Sequence, residues 1–228
     1  DYFRNRFDTP PWLPLYKHQP RAGPFWDRTA PKAHLDAIHI PTFLIGGLLD
    51  GYRDSVPRML QQLKAPVKAI MGPWAHAWPT SAYPEPAIEW RHEAVRWFDH
   101  WLKGEDTGIM AEPRFAVYVR HWHPPLTDLE TVPGEWRWEE GWPIERIRTR
   151  TLYPRADQSL SDAAPAGEAQ THTLDYVPTS GAEAGGPVMW WGDPTPDQRP
   201  SDAFGLVYET EPLSEDVKIL GFPLAHLN

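Results

Sequence analysis

The chain has 228 residues, a formal net charge of −9, 27 prolines, 13 tryptophans and no cysteine. The acidic balance excludes nucleic-acid and anionic-membrane partners, which need basic patches, and the lack of cysteine excludes disulfides, thiolate metal sites and a cysteine nucleophile. No apolar run reaches the roughly eighteen residues that a membrane-spanning helix needs.

The length suits one large domain or two small ones with a real core. High proline with tryptophans spread throughout predicts a folded, loop-rich protein, its turns stiffened by proline and many of its indoles packed between layers. A cytoplasmic location is expected.

Residues 1–30 hold five prolines and several aromatics without sustained periodicity, and read as an irregular connector or the tail of a preceding element. Thr42-Phe43-Leu44-Ile45 is a continuous apolar run of the kind found in a parallel strand covered on both faces, ending at Gly46-Gly47. Ser55 is placed to cap a helix over 56–64, whose Val56, Met59, Leu60 and Leu63 form one stripe. Val67–Met71 then makes the next strand, completing a right-handed βαβ crossover. A helix is predicted over 89–103, with Trp90, Trp97 and Trp101 on a sheet-facing side and Gly104 as its stop. Beyond Pro113 the period changes to two: Arg114–Arg120, Thr149–Tyr153 and Phe204–Tyr208 read as short strands of an antiparallel sandwich or jelly roll. The switch falls near residues 110–113, and 154–203 reads as long polar loops. The expected fold class is therefore α/β plus all-β.

Two ionisable groups stand where strand ends should lift them. Asp50 follows the first strand and its glycines, and His76 follows the second strand through Gly72-Pro73-Trp74-Ala75. A carboxylate and then an imidazole, one βαβ unit apart, suits the acid and the base of a hydrolase triad. The bland alternative makes Asp50 a turn cap beside Gly51. Asp54, beside Ser55, is accounted for by helix capping. No G-x-S-x-G nucleophile elbow occurs in the sequence. His92 with His100 lacks a nearby third ligand, and His121 and His123 could together chelate zinc or nickel but read as a polar strand end. Glu139, Glu140, Asp193, Asp197 and Asp202 lack calcium-binding spacing, so no metal or cofactor is expected. Asp99 and Lys103 suit a surface ion pair.

The phrases IPTFLIGGLLDGYRD, IMGPWAHAWP and RWFDHWLKGEDTGI followed by PRFAVYV, in that order, resemble the cocaine-esterase and X-Pro dipeptidyl-peptidase family of serine hydrolases. The resemblance covers nearly the whole chain. It implies residues 1–30 as the exit of a helical cap, 31–110 as the C-terminal part of an α/β-hydrolase domain and 111–228 as the first part of a jelly roll. It further implies Asp50 as triad acid and His76 as triad base, a small-molecule ester or amide as substrate, and a serine outside this sequence, so that the chain alone would be silent. A non-catalytic carbohydrate- or protein-binding sandwich and a degenerate pseudoenzyme are the alternatives. Neither oligomeric state nor acyl preference is legible.

Overall fold

A computed structural model of the chain describes residues 5, 6, 8, 10–167, 171–179 and 197–226. Two short helices, α1 (Trp12–Lys17) and α2 (Pro24–Asp27), occupy the proline-rich start. Their rings pack on one another, with Tyr16 and Trp26 centroids 5.1 Å apart.

The apolar run forms β1 (Thr42–Gly47), followed by helix α3 (Ser55–Gln62) and strand β2 (Val67–Gly72). The two strands pair in parallel and in step, from Thr42 against Val67 to Gly47 against Gly72. Side chains alternate across β1, so Leu44 joins Val56, Leu60 and Leu63 of α3 in the core, while Phe43 turns the other way. On that second face lies α4 (Trp90–Phe98), whose Trp97 stacks on Phe43 at 5.5 Å and 25°. β1 is thus covered on both sides, as its unbroken apolar sequence demands.

A five-residue π turn, Asp99–Lys103, extends α4, and Gly104 ends it at a φ of 73°, in the left-handed region that glycine adopts without steric cost. Lys103 and Asp99 pair at 2.6 Å. Of the three tryptophans predicted to face the sheet, Trp97 is buried, whereas Trp101 is 36% exposed and Trp90 lies at the helix start against Trp78. Trp12, Trp78, Trp122 and Trp138 are also exposed, so many indoles lie on the surface rather than between layers. Helix α3 begins with Asp54 rather than Ser55 in the cap position, and the Asp54 carboxylate pairs with Arg58 instead of capping.

β3 (Phe115–Arg120) and β4 (Gly134–Glu139) follow. The sheet order is β1-β2-β3-β4; β3 runs parallel to β2 and antiparallel to β4. The change of period near residues 110–113 is therefore not a break in the sheet, because Ala69–Met71 pair directly with Phe115–Val117. The result is a mixed α/β architecture with one parallel and antiparallel sheet.

Two expected strands do not form. Thr149–Tyr153 contributes Tyr153 alone to β5 (Tyr153–Pro154), which pairs with β6 (Leu160–Ser161). Phe204 and Gly205 sit in turns closed on Ser201 and Asp202, after the short helix α5 (Arg199–Asp202), and only Glu209 bridges to Ser159. Alternation creates a potential face, but a strand needs a ladder partner, and the described residues give these segments none of useful length.

Polar groups fasten α4 to the sheet. Lys68, in buried β2, donates from Nζ to Ile109 O at 2.6 Å and to Glu112 Oε2 at 3.1 Å. Glu112 also receives Arg96 of α4, which reaches Glu93 at 2.7 Å as well. Burial disfavours the charge on Glu112, but the hydrogen bonds from Arg96 and Lys68 outweigh it and hold its carboxyl below the usual carboxylate range.

Candidate active site

The equal ends of β1 and β2 place the site. Both strands stop at the same edge, at Gly47 and Gly72, and the chain leaves each there in an irregular loop. Asp50 comes three residues after the first end and His76 four after the second. Carboxylate and imidazole meet across that edge, Asp50 Oδ2 to His76 Nδ1 at 2.8 Å, although 26 positions apart. Such C-terminal edges are where α/β sheets expose ligand sites.

The loops are held by backbone contacts that side-chain patterns do not announce. Leu48 and Leu49 donate from their N–H groups to Gly72 O and Trp74 O, at 2.9 and 3.0 Å. This stitching brings the Trp74 carbonyl so close to Gly47 that a Cβ there would lie 2.2 Å from the oxygen. At Gly72 a Cβ would lie 2.4 Å from the Trp74 ring. Neither glycine before Asp50 has a left-handed φ; Gly47 admits the neighbouring loop by its lack of a side chain.

Asp50 is oriented from two sides. Its Oδ1 accepts the Tyr52 N–H at 2.7 Å, a short Asx-type turn, which leaves Oδ2 for the imidazole. The turn contact and the imidazole contact thus use different oxygens of one carboxylate. The Asp50 side chain is 17% exposed and the His76 side chain 39%, so the acid is sheltered and the ring faces outward. The Tyr52 ring lies 6.2 Å from the imidazole.

Trp74 anchors the histidine loop. It is 1% exposed, its Nε1–H donates to Pro86 O at 2.6 Å, and its ring lies 6.0 Å from Trp136 of β4. Sequence reasoning treated it only as a loop residue. A tryptophan two positions before the histidine was the available signal, but its partners come from the distant 86 and 136 positions. The Tyr52 N–H contact is the turn-cap role that Asp50 beside Gly51 suggested.

A cavity of about 380 Å³ opens beside the pair, walled by the end of β1, the 74–79 loop and Trp90. A smaller hollow of about 230 Å³ between α1 and α2, lined by Trp12, Tyr16, Phe25 and Trp26 among others, contains no acid–base pair. The remaining candidates stay apart from the site. Asp54 pairs with Arg58, His100 bonds Glu105 O, and His123 bonds Pro124 O and approaches Arg120. Glu139 is 3% exposed and held by Arg146 and Arg137. Asp197 pairs with Arg199, whereas Asp193 lies outside the described residues. Among the described residues no group of three or more His, Cys, Asp or Glu side chains could hold a metal ion, and no helix is long and apolar enough to cross a membrane.

Comparison with known proteins agrees with the sequence resemblance. The profile of the X-Pro dipeptidyl-peptidase (S15 family) matches residues 2–78, a stretch containing both Asp50 and His76. The X-Pro dipeptidyl-peptidase C-terminal non-catalytic domain matches residues 107–228, more than half of the chain. Two proteins whose names assign them as serine esterases, from Mycobacterium bovis and Mycobacterium tuberculosis, are each 28% identical over 167 residues. Those matches cover 67% of this chain and 24% of each relative, so the chain spans about a quarter of their length. Two crystal structures of a CocE/NonD family hydrolase from Staphylococcus aureus align over 69% of this chain and 27% of theirs, at 17% and 18% identity and TM-scores of 0.48 and 0.46.

Proposed function

Because the chain belongs to the X-Pro dipeptidyl-peptidase and cocaine-esterase-like family of serine hydrolases, we propose that Asp50 and His76 are the acid and base of a Ser-Asp-His triad cleaving ester or amide bonds. The single observation carrying this reading is the 2.8 Å contact between Asp50 Oδ2 and His76 Nδ1 at the open rim of a cavity. With Nδ1–H donated to the carboxylate, the imidazole is fixed in one tautomer and proton transfer passes through Nε2. Nε2 takes the serine proton as the hydroxyl attacks the acyl carbon, and returns it to the leaving alkoxide or amine. Asp50 stays ionised and stabilises the imidazolium formed between those steps.

The serine belongs, in this reading, to a segment outside these 228 residues, since no G-x-S-x-G occurs among them. The chain supplies the acid–base half and by itself turns over no ester. Residues 1–30 are read as the end of a cap, 31–110 as hydrolase domain, and 111–228 as the opening of a jelly roll; the C-terminal non-catalytic domain match over 107–228 supports that last division.

A chromogenic ester assay on the protein joined to its serine-bearing segment tests the roles. Asp50→Asn and His76→Ala each lower kcat by about 10⁴-fold. An undiminished rate in either variant removes that residue from the triad. Labelling of the 228-residue chain by a serine-directed fluorophosphonate would place the nucleophile inside it and overturn the division.

A further inference from the structure

The cavity beside His76 has a wall that the acid–base chemistry does not use. Trp78, two residues past the histidine, stacks on Trp90 with ring centroids 5.3 Å apart and planes 11° from parallel. Trp90 is half-buried at the start of α4, whereas Trp78 is 68% exposed. The stack leaves most of the Trp78 ring accessible at the mouth of the cavity.

Its setting is nevertheless fixed. Pro79 behind it is buried, Ser81 N–H closes a turn on Trp78 O at 2.9 Å, and Ile88 N–H bonds Pro79 O at 2.9 Å. The indole is thus preorganised, backed by Trp90 on one face and open beyond it. Asp50 and His76 are the ionisable side chains among the described residues lining the cavity, and the rest of the wall is glycine, alanine, isoleucine, proline and indole. Such a lining favours an uncharged ring and opposes an anion.

We propose that Trp78 is the specificity-determining contact on which an uncharged aromatic group of the ester or amide substrate stacks, with Trp90 as the positioning residue that holds it. The proposal rests on the reading of Asp50 and His76 as the acid–base pair, and it adds the class of group presented beside them.

Binding is tested on the 228-residue chain labelled with 5-fluorotryptophan, following the assigned Trp78 fluorine resonance by NMR. The probes are acetanilide, N-cyclohexylacetamide and 4-acetamidobenzoate. Acetanilide shifts the resonance saturably, the saturated ring binds several-fold more weakly, and the anionic probe is weaker than acetanilide. By quenching of the remaining tryptophans, Trp78→Ala weakens acetanilide binding by about five- to tenfold and Trp78→Phe by no more than about twofold. Trp90→Leu reproduces the loss and Trp90→Phe restores binding, with thermal melting of the Phe variant unchanged. Equal affinity for acetanilide and N-cyclohexylacetamide, or unchanged affinity in Trp78→Ala, overturns the proposal. Turnover that needs Asp50 together with acetanilide binding indifferent to Trp78 removes the platform and leaves the acid–base pair standing. The opposite combination, ring binding that needs Trp78 beside turnover indifferent to Asp50, leaves the aromatic site and removes the triad.

Discussion

Replacing Glu112 by Gln separates the polar fastening of α4 from its apolar packing. Lys68 is 7% exposed, and its ammonium is met by one carbonyl and the Glu112 carboxylate. The introduced amide can accept from one of Lys68 and Arg96 but carries no charge for either. Leaving a fully buried ion without its partner costs about 3–5 kcal/mol. Here the Glu112 side chain is 44% exposed, so water screens part of that cost. The expected loss is about 2 kcal/mol, or ~4–8 °C in Tm for a chain of this size. Urea and thermal unfolding at pH 7 measure it. The acid limb supplies a second readout. The folded-state pKa of Glu112 is depressed, so its contribution is full above the unfolded carboxylate value of about 4.3 and fades as pH falls through the lower folded value. Wild type therefore loses more stability than Glu112→Gln on acidification below about pH 4.3. A loss under about 0.5 kcal/mol at pH 7, together with parallel acid limbs, would refute the fastening role.

Two further substitutions test the local packing. Gly47→Ala forces a methyl against Trp74 O, which a Cβ would approach to 2.2 Å, and costs about 3 kcal/mol as the 73–76 loop shifts. The same shift moves His76 from Asp50, so turnover in the joined enzyme falls by about a hundredfold even where the fold survives; kinetics alongside circular-dichroism melting reads both effects. In the core, Leu60→Ala (2% exposed) loses about 3 kcal/mol on urea unfolding. Leu102→Ala (77% exposed) stays within about 0.5 kcal/mol of wild type in the same experiment.

The local features were legible from residues alone. Thr42–Ile45 is a continuous apolar run that had to be covered on both faces, Val67–Met71 reads as the next strand, and the i, i+3, i+4, i+7 stripe of Val56, Met59, Leu60 and Leu63 announced the crossover helix between them. Strand, helix and strand in so few residues forces parallel neighbours, and parallel neighbours put Asp50 and His76 at one rim. The helix over 89–103 and its glycine stop were legible for the same reason: helical period and cap chemistry are written within one segment.

What tertiary structure alone decided involves partners far apart in sequence. Alternation along Arg114–Arg120 shows a strand but not its neighbour, and β3 joins β2 because Phe115 and Val117 complete the core begun by Leu44 and Ala69. Thr149–Tyr153 and Phe204–Tyr208 show the same alternation and remain largely unpaired, since no complementary edge among the described residues lies alongside them. A lysine within a buried strand looks costly until Glu112 arrives from 44 positions away. The bond from Trp74 to Pro86 and the stack of Trp78 on Trp90 likewise join loops whose meeting no local period encodes. Periodicity records which face a residue presents, whereas ladder register, ion pairing and ring stacking depend on which surface arrives opposite, and only the folded chain supplies that.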